Sequence, residues 1–270
     1  MKKFFSILSI LTILLFSCKN EDIVNPNDLE STQASQDHLT VENIFNDVGY
    51  IVKEGLQNNG QRKLCPIYNL MNNNPSDIDT LVINFENNNE CLHYGKIRNG
   101  KVVVTYTGAY NDSGSVITSS FDNYYINYNL IQGEMILTNQ GLNNKGNIWF
   151  TIDINNASIV HPDGLSIDWE SNRVMEWVNG KNTYDMSDDK YKISGEASGN
   201  GLNGRNFATS IVDTLHADLS CFPSCIITQG TAKVSANGFE NQTINYVDSL
   251  CNCDVNVIIN GSTYPIITGY

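Results

Sequence analysis

Alternating apolar and polar residues are the sequence feature that most constrains how this chain can fold. From Asp77 onward, apolar residues occupy every second position in run after run, which is the period of a β-strand. Asn-Gly pairs favour tight hairpin turns because both residues tolerate a positive φ. The clearest alternating runs are 102–107, 124–130, 148–154 and 165–169, and the pairs are Asn99-Gly100, Asn179-Gly180, Asn237-Gly238 and Asn260-Gly261. The pattern predicts a mainly β domain over residues 61–270, an antiparallel meander of about ten to thirteen strands folded as a curved sheet, a sandwich or an open barrel.

One segment before the β region has a helical period instead. Apolar side chains recur three and four positions apart, Thr40 is placed to cap the start, and Gly60 lies just beyond the end. The periodic residues are Val41, Ile44, Phe45, Val48, Ile51, Val52 and Leu56. We therefore expect one amphipathic helix within residues 39–60. Its apolar stripe is expected to face the core, because the polar face lacks the cationic side chains that are typical of membrane-binding helices.

The N-terminus has the pattern of an export signal. Lys2 and Lys3 precede an apolar run, Phe4 to Phe16, that is too short to span a bilayer as an anchoring helix. Cys18 follows a small residue at the end of this run, as in the lipobox of bacterial lipoproteins. In such proteins the cysteine is acylated and becomes the first residue of the mature chain. The pattern predicts a signal peptide over residues 1–17 and a lipid anchor, with acyl chains such as palmitate, at Cys18.

The residues after Cys18 are expected to hold the domain away from the membrane. Residues 18–38 are polar, acidic and without aromatics, which is typical of a flexible tether. The first of them, Lys19-Asn20-Glu21-Asp22, resemble the surface-export signal of lipoproteins from the Bacteroidota. We therefore expect a lipid-anchored protein of the outer membrane that is exposed at the cell surface, with a periplasm-facing orientation as the alternative.

The net charge excludes one class of partner. The formal charge is -13 for the whole chain, and residues 1–17 contain two lysines and no acid, so their removal makes it -15. A chain with this charge repels polyanions. We therefore expect no binding to nucleic acid.

Six further cysteines predict disulfide bonds, as is usual for an exported chain. They are Cys65, Cys91, Cys221, Cys225, Cys251 and Cys253. A metal site is less favoured, because the last four lack C-x-x-C spacing and no histidine lies near them in sequence. No metal or other cofactor is therefore expected. A hairpin that turns at Asn237-Gly238 would place the Cys221 and Cys225 end beside Cys251 and Cys253, so two bridges are expected among these four cysteines.

Two segments look like copies of one motif. Residues 80–108 and 242–269 each contain a short apolar strand, then a cysteine, then an Asn-Gly pair, and the spacing of these landmarks agrees to within one residue. This similarity indicates duplicated hairpins or two related β halves. The alternative interpretation is that hairpins built on Asn-Gly resemble one another without common origin.

No motif for a specific catalytic chemistry follows the export signal, and no catalytic residue is predicted. The nucleophile-elbow pattern G-x-S-x-G does not occur, and the four histidines lack metal-binding spacing. His38 is expected to lie in the tether. Asp168 and Glu170 flank Trp169 on one strand and are similar in kind to a glycosidase pair, but a solvated strand face opposite a buried tryptophan explains them better.

Two aromatic residues are candidates for ligand stacking. Trp149 and Tyr125 are out of phase with the apolar residues of their strands, so each is expected to face the opposite side of the sheet. Exposed aromatic rings on a sheet can stack on the apolar faces of sugars. The alternative is that both faces of a long curved sheet are buried and that these residues belong to the core.

The segments 95–108, 114–139 and 230–269 resemble a family of uncharacterised outer-membrane lipoproteins from the Bacteroidota. The shared features are a Lys-Val-Val-Val-Thr-Tyr-Thr-Gly strand, a Phe-x-Asn-Tyr element at residues 121–127, and the C-terminal Cys253-Asp254. The resemblance brings no activity and supports only location and fold class. It also favours the pairings Cys225–Cys253 and Cys221–Cys251, which leave Cys65 to pair with Cys91.

Two functions of different classes agree with these features. The first is a membrane-anchored lipoprotein of the cell envelope whose β-rich domain is structural or binds a partner, either a glycan or another envelope protein. The second is an envelope hydrolase that acts on glycans or lipids with its site in the concavity of the sheet. An enzyme of this kind would need a pair of carboxylates about 5–10 Å apart in a deep pocket. The missing catalytic motifs favour the first.

Overall fold

A computed structural model describes residues 32–58, 65–71, 78–86, 90–247 and 251–267. One long helix, α1 (Gln33–Asn58), precedes the β region. Among the described residues, no helix is long and apolar enough to cross a membrane. The predicted export signal, Cys18 and most of the expected tether lie outside the described residues.

The β region is one antiparallel sheet. Its strands are β1 (Ile67–Leu70), β2 (Asp79–Asn84), β3 (Cys91–His93), β4 (Lys96–Tyr106), β5 (Val116–Ile126), β6 (Asn129–Leu142), β7 (Ile148–Val160), β8 (Ser166–Asn179), β9 (Lys190–Asn200), β10 (Asn206–Asp218), β11 (Ile227–Ala236), β12 (Gln242–Tyr246), β13 (Asp254–Ile259) and β14 (Ser262–Ile267). Each strand pairs with the next along the chain, except that β2 and β3 share one edge of β4. The predicted fold class, a mainly β chain with one N-terminal helix and a long antiparallel meander, is confirmed, and the described strands do not close into a barrel.

The sheet curls around α1, which lies against its inner face. Tyr68 on β1, Arg98 on β4, Arg173 on β8 and Gln242 on β12 all form hydrogen bonds with side chains of the helix. Along each strand, residues that face the helix therefore alternate with residues that face outward. In β8 the odd-numbered residues from 167 to 177 are buried against the helix side, while the even-numbered ones are exposed or partly exposed.

Glycine bulges help the sheet to curl. Gly100 (φ +81°) lies at a register shift between β4 and β5, and Gly133 (φ +109°) lies at one between β6 and β7. A Cβ on Gly133 would come within 2.7 Å of the Cα of Ala157, so the backbones can approach this closely only at glycine. Bulges of this kind bend a strand and increase its twist.

The helix is longer and more buried than predicted. It begins at Gln33, so residues 33–38 are helical rather than part of a tether, and Thr40 lies inside the helix instead of capping it. His38 is 1% exposed. The cause is tertiary: Ser35 bonds to Gln242, and the ring of His38 packs against Trp169 and Phe207. These contacts hold residues 33–38 in a helix, although the polar composition of this segment does not by itself favour one.

The Asn-Gly pairs do not all form turns. Asn260-Gly261 is the two-residue turn between β13 and β14, and Asn237-Gly238 lies in the connection from β11 to β12. Asn179-Gly180 ends β8. Asn99-Gly100 instead lies inside β4, where residues on both sides of the glycine continue to pair with β5. The predicted hairpin at this pair is therefore wrong, because the pair forms a bulge.

The two segments with similar spacing have different structures. In residues 80–108, the Asn-Gly pair and the run that follows belong to the single strand β4. In the described part of 242–269, the corresponding pair separates β13 from β14. The spacing is therefore not accompanied by duplicated hairpins.

The three expected disulfides are present. The Cα–Cα distances are 5.9 Å for Cys65–Cys91, 4.8 Å for Cys221–Cys251 and 5.1 Å for Cys225–Cys253. The first links the start of β1 to β3. The other two link the connection between β10 and β11 to the segment between β12 and β13. The first bridge therefore ties a connecting segment to a strand, and the other two tie two connecting segments to each other.

Candidate functional site

The two aromatic residues predicted as candidates for ligand stacking lie far apart. Trp149 and Tyr125 both face the outer side of the sheet and are partly buried. Tyr125 is level with Leu130 and, through it, with Val160, which lies eleven residues along β7 from Trp149. That offset corresponds to about 36 Å along the strand at about 3.3 Å per residue. The two rings cannot stack on the same sugar.

The acidic pair on β8 is solvated. Asp168 and Glu170 are exposed on either side of Trp169, which is 2% exposed. Asp168 accepts a hydrogen bond from the hydroxyl of Ser158 at 2.8 Å. Neither carboxylate lies in the concavity of the sheet, so this pair does not form the deep site that a hydrolase in that concavity would need.

The inner side of the sheet holds buried charges from α1, each with a partner on a strand or loop. Asp47 accepts two hydrogen bonds from Arg98, at 2.6 and 2.9 Å, and one from Lys96 at 2.6 Å. Burial alone would raise the pKa of Asp47, but the two cations and their hydrogen bonds lower it below its usual value. The two cations thus keep the carboxylate ionised despite its burial, so it is not available to donate a proton.

A second group of buried charges lies about one and a half turns earlier on the helix. Glu42 accepts from Arg173 at 3.1 Å and from the hydroxyl of Tyr246 at 2.6 Å. Burial works against the charge of Glu42, yet His38, Arg173 and the Tyr246 hydrogen bond lower its pKa overall. Trp169 donates from Nε1 to Nδ1 of His38 at 3.3 Å, and this contact needs the neutral ring.

The third group lies near the C-terminal end of α1. The Nζ atom of Lys53 donates to Asp189 at 2.5 Å and to the hydroxyl of Tyr191 at 2.7 Å, and it lies 3.9 Å from the centre of the Trp177 ring. Trp177 donates from Nε1 to the other oxygen of Asp189 at 3.0 Å. Burial lowers the pKa of Lys53, and the contact with Asp189 opposes that effect. This ammonium is fully engaged by its neighbours.

Beside these charges lies a small internal space, which we call the central cavity. It has a volume of about 100 Å³ between α1 and the inner face of the sheet. Most of its lining is apolar and includes Phe45, Met135, Met175, Ile193 and Ile226. Arg173 and Asn46 also contribute to the lining.

The outer side of the sheet carries a larger open depression, which we call the outer groove. It crosses β7 to β11, has a volume of about 650 Å³, and arises where small side chains are flanked by longer ones. Register explains its shape, because residues on one face of neighbouring strands form rows. One row is Asp153, Asn172, Glu196, Ser210 and Lys233, and the adjacent row is Glu170, Ser198, Ala208 and Ser235.

Charge in the outer groove is uneven. Asp153, Glu170 and Glu196 lie towards β7 to β9, and Lys233 lies on β11. Asn172 donates from Nδ2 to Asp153 and orders that end of the groove. The floor of Ser198, Ala208 and Ser210 leaves the flanking polar groups open to a ligand. Among the described residues, no group of three or more His, Cys, Asp or Glu could hold a metal ion.

Comparison of the chain with models of known protein families, with curated proteins and with solved structures gives no match. A function for this protein therefore has to be inferred from its export pattern and from the geometry of the outer groove and the central cavity.

Proposed function

We propose that this protein is a lipid-anchored lipoprotein of the outer membrane, exposed at the cell surface, whose β-domain binds a ligand through the outer groove and is not an enzyme. The export pattern of residues 1–17 and Cys18 supports the anchor. The three disulfides agree with a domain that folds outside the reducing cytosol.

The observation that carries the binding function is the outer groove itself. The concavity of the sheet, where a hydrolase would be expected to hold its catalytic residues, is occupied by α1. The helix carboxylates of Glu42 and Asp47 are buried there in contact with Arg173 and Arg98. The outer groove, by contrast, presents unburied amides, hydroxyls and carboxylates along two rows of an open surface.

A neutral glycan is the ligand that this chemistry fits best. Sugar hydroxyls both donate and accept hydrogen bonds, and the groove offers acceptors on Asp153, Glu170 and Glu196 and donors on Asn172 and Lys233. Three acids against one lysine repel an anionic ligand. Trp149 faces the same side and lies four residues from Asp153 on β7, about 13 Å away along the strand, so a chain of several sugars could reach it. Another envelope protein is the alternative ligand.

A bulky residue in the floor of the groove tests the proposal. Ser210→Trp should abolish binding on a glycan array without unfolding the domain, because the side chain is exposed and the ring occupies the groove. Ser194→Trp, on the exposed outer face of β9 but outside the groove, is the matched control and should bind like the parent protein. Equal binding by Ser210→Trp and the parent would place the ligand elsewhere.

Two further arms of the same experiment address the aromatics and the alternative function. Trp149→Ala should weaken binding of long glycans more than of short ones, whereas Tyr125→Ala should leave both unchanged because of its distance from the groove. If the bound glycan is cleaved and cleavage stops in Glu196→Gln, the protein is a hydrolase and the binding-only proposal fails.

A further inference from the structure

Two residues that line the central cavity each carry a buried hydrogen-bond donor that nothing in the described part of the chain satisfies. Arg173 is 5% exposed, and its Nη2 bonds to Glu42 while its Nη1 has no hydrogen-bond partner. The Nδ2 atom of Asn46 is also buried without a partner. Both residues line the cavity. A buried donor without an acceptor is costly, so a site of this kind favours a molecule that supplies one.

The helix leaves this space open at a glycine. Gly49 lies inside α1 and lines the cavity, and a Cβ at this position would meet no atom within 4 Å apart from the adjacent residues and the backbone of its own helix. Glycine is a weaker helix former than alanine, and a side chain would fit here, so neither helix propensity nor packing explains the presence of glycine at this position. Gly55 differs, because its Cβ would lie 3.0 Å from side-chain atoms of Ile83 and Leu81. The open space beside Gly49 is therefore a local feature of the cavity wall.

Charge balance decides which acceptor suits the cavity. The positive charge of Arg173 is already matched by Glu42, and Lys53 is matched by Asp189. An anionic ligand would add a buried charge without a partner, which is strongly unfavourable. A neutral acceptor such as a ketone, ester or amide oxygen would satisfy Arg173 Nη1 without this cost.

Size limits the part of the ligand that enters. Apolar cavities of about 150 Å³ take up benzene, which has six non-hydrogen atoms, so a volume of about 100 Å³ suits a molecule or chain end of about four non-hydrogen atoms. A second depression of about 210 Å³ adjoins the cavity, since Asn46 and Ile226 line both, and it includes Tyr94, Lys96 and Phe222. A longer ligand could extend into it.

We propose that the central cavity is a second binding site, which takes a small apolar molecule, or the apolar end of a larger one, bearing a neutral carbonyl oxygen that accepts from Arg173 Nη1 and Asn46 Nδ2. This site is separate from the outer groove and does not depend on the function proposed for it. Its walls of methionine, leucine and isoleucine side chains supply the apolar contacts.

Methionine methyl resonances report directly on occupancy. Methyl propyl ketone, pentane and butyrate are the probes, titrated into the folded protein to the solubility limit of each. Met135 and Met175 line the cavity, while Met71 and Met186 do not. The ketone should shift the resonances of Met135 and Met175 only. Pentane should bind about tenfold more weakly, since it lacks the acceptor for a charged donor, and butyrate more weakly still.

Variants separate the two parts of the proposal. Gly49→Leu should fill the cavity and abolish the shifts, with Ser194→Leu on the outer face as the control that retains them. Should Gly49→Leu fail to fold, Arg173→Lys tests the same site. It keeps a cation beside Glu42 but replaces the forked guanidinium, with its separate Nη1 donor, by a single nitrogen. The preference for ketone over pentane should therefore weaken, although Asn46 remains.

Three results would overturn the inference. Unchanged Met135 and Met175 resonances at saturating ketone would mean that no such ligand binds in the cavity. Equal affinity for pentane and ketone would exclude a role for the donors of Arg173 and Asn46. Tighter binding of butyrate than of the ketone would contradict the charge balance inferred for the cavity.

Discussion

At the residue scale, His38 couples the fold to pH. Its burial is the main reason why its pKa falls from 6.5 to about 4, although nearby Glu42 opposes this shift. The Nδ1 atom accepts a hydrogen bond from Trp169, which a protonated ring could not do. The folded protein therefore holds a neutral histidine at neutral pH.

The direction of the pH dependence of stability follows from the pKa of His38 in the folded and in the unfolded protein. Because the folded-state pKa is the lower one, the unfolded chain binds a proton first as the pH falls. The contribution of His38 to stability is complete above about pH 6.5 and is lost as the pH falls to about 4, a difference of about 3 kcal/mol. Denaturant unfolding at about pH 7 and about pH 4.5 should show the loss. His38→Gln should show a smaller loss, and an identical loss in the two proteins would contradict the assignment.

The sequence identifies the orientation of the candidate aromatic residues but not the residues that form the outer groove. Trp149 and Tyr125 face outward, as their phase along the strands predicts, but they are far apart. The sequence does not single out the small outward residues Ser198, Ala208 and Ser210, which form the floor of the outer groove. Their signal is weak, because a small side chain on an exposed strand face is ordinary unless its neighbours on adjacent strands are known.

At the scale of single elements, α1 acts as the core on which the sheet is wrapped. Phe45 stacks on Trp169 with ring centres 5.9 Å apart and meets Phe121 edge to face, which joins the helix to β8 and β5. The apolar stripe predicted from periodicity is indeed buried. The two sides that flank this stripe are buried as well, and there the helix contributes Glu42, Asp47 and Lys53 to ion pairs with the sheet and its connections. The opposite side is partly exposed at Asn43 and Tyr50.

Truncation of the helix core should therefore be severe. Phe45→Ala removes a ring that is 3% exposed and leaves a cavity between helix and sheet, with an expected loss of about 3–5 kcal/mol in the free energy of unfolding. Gln57→Ala, at an exposed position of the same helix, should change it by less than about 0.5 kcal/mol. Thermal and denaturant melts measure both. A small effect of Phe45→Ala would show that this ring contributes little to the packing of the helix on the sheet.

At the scale of the whole molecule, the described domain begins with helix α1, and Cys18, the predicted anchor, precedes it in the chain. The net charge and the open outer groove bear on which molecules the domain can bind, whereas the disulfides bear on the compartment in which it folds. Cys18 connects these questions, because acylation at that residue would hold the entire domain at a membrane.

Replacement of Cys18 tests that connection. Cys18→Ala should abolish labelling by a fatty-acid probe and release the protein from the membrane fraction, while Cys65→Ala, which removes a disulfide partner, should leave labelling unchanged. Protease added to intact cells should digest the domain if it is surface-exposed. Unchanged labelling of Cys18→Ala would refute the anchor, and full protection in cells with a sealed outer membrane would indicate the periplasmic orientation.

The fold class and the strands were predictable because they depend on local periodicity. A period of two in β4, β5, β7 and β8 and a period near 3.6 in α1 reflect which side of each element is buried, and this is encoded by neighbouring residues. The disulfide pairings also agree with the prediction, since a meander keeps segments that are consecutive in sequence close in space.

What only the tertiary structure decided is how distant strands share one helix. Residues 33–38 form a helix because β8, β10 and β12 surround them. Asn99-Gly100 becomes a bulge because β4 pairs with β5 on both sides of it. The central cavity and the outer groove likewise each combine side chains from strands far apart in sequence. The sequence alone determined the alternation, the helix stripe and the export pattern, since these are local. The curl of the sheet arises from the summed twist and bulges of many strands, which no single segment encodes.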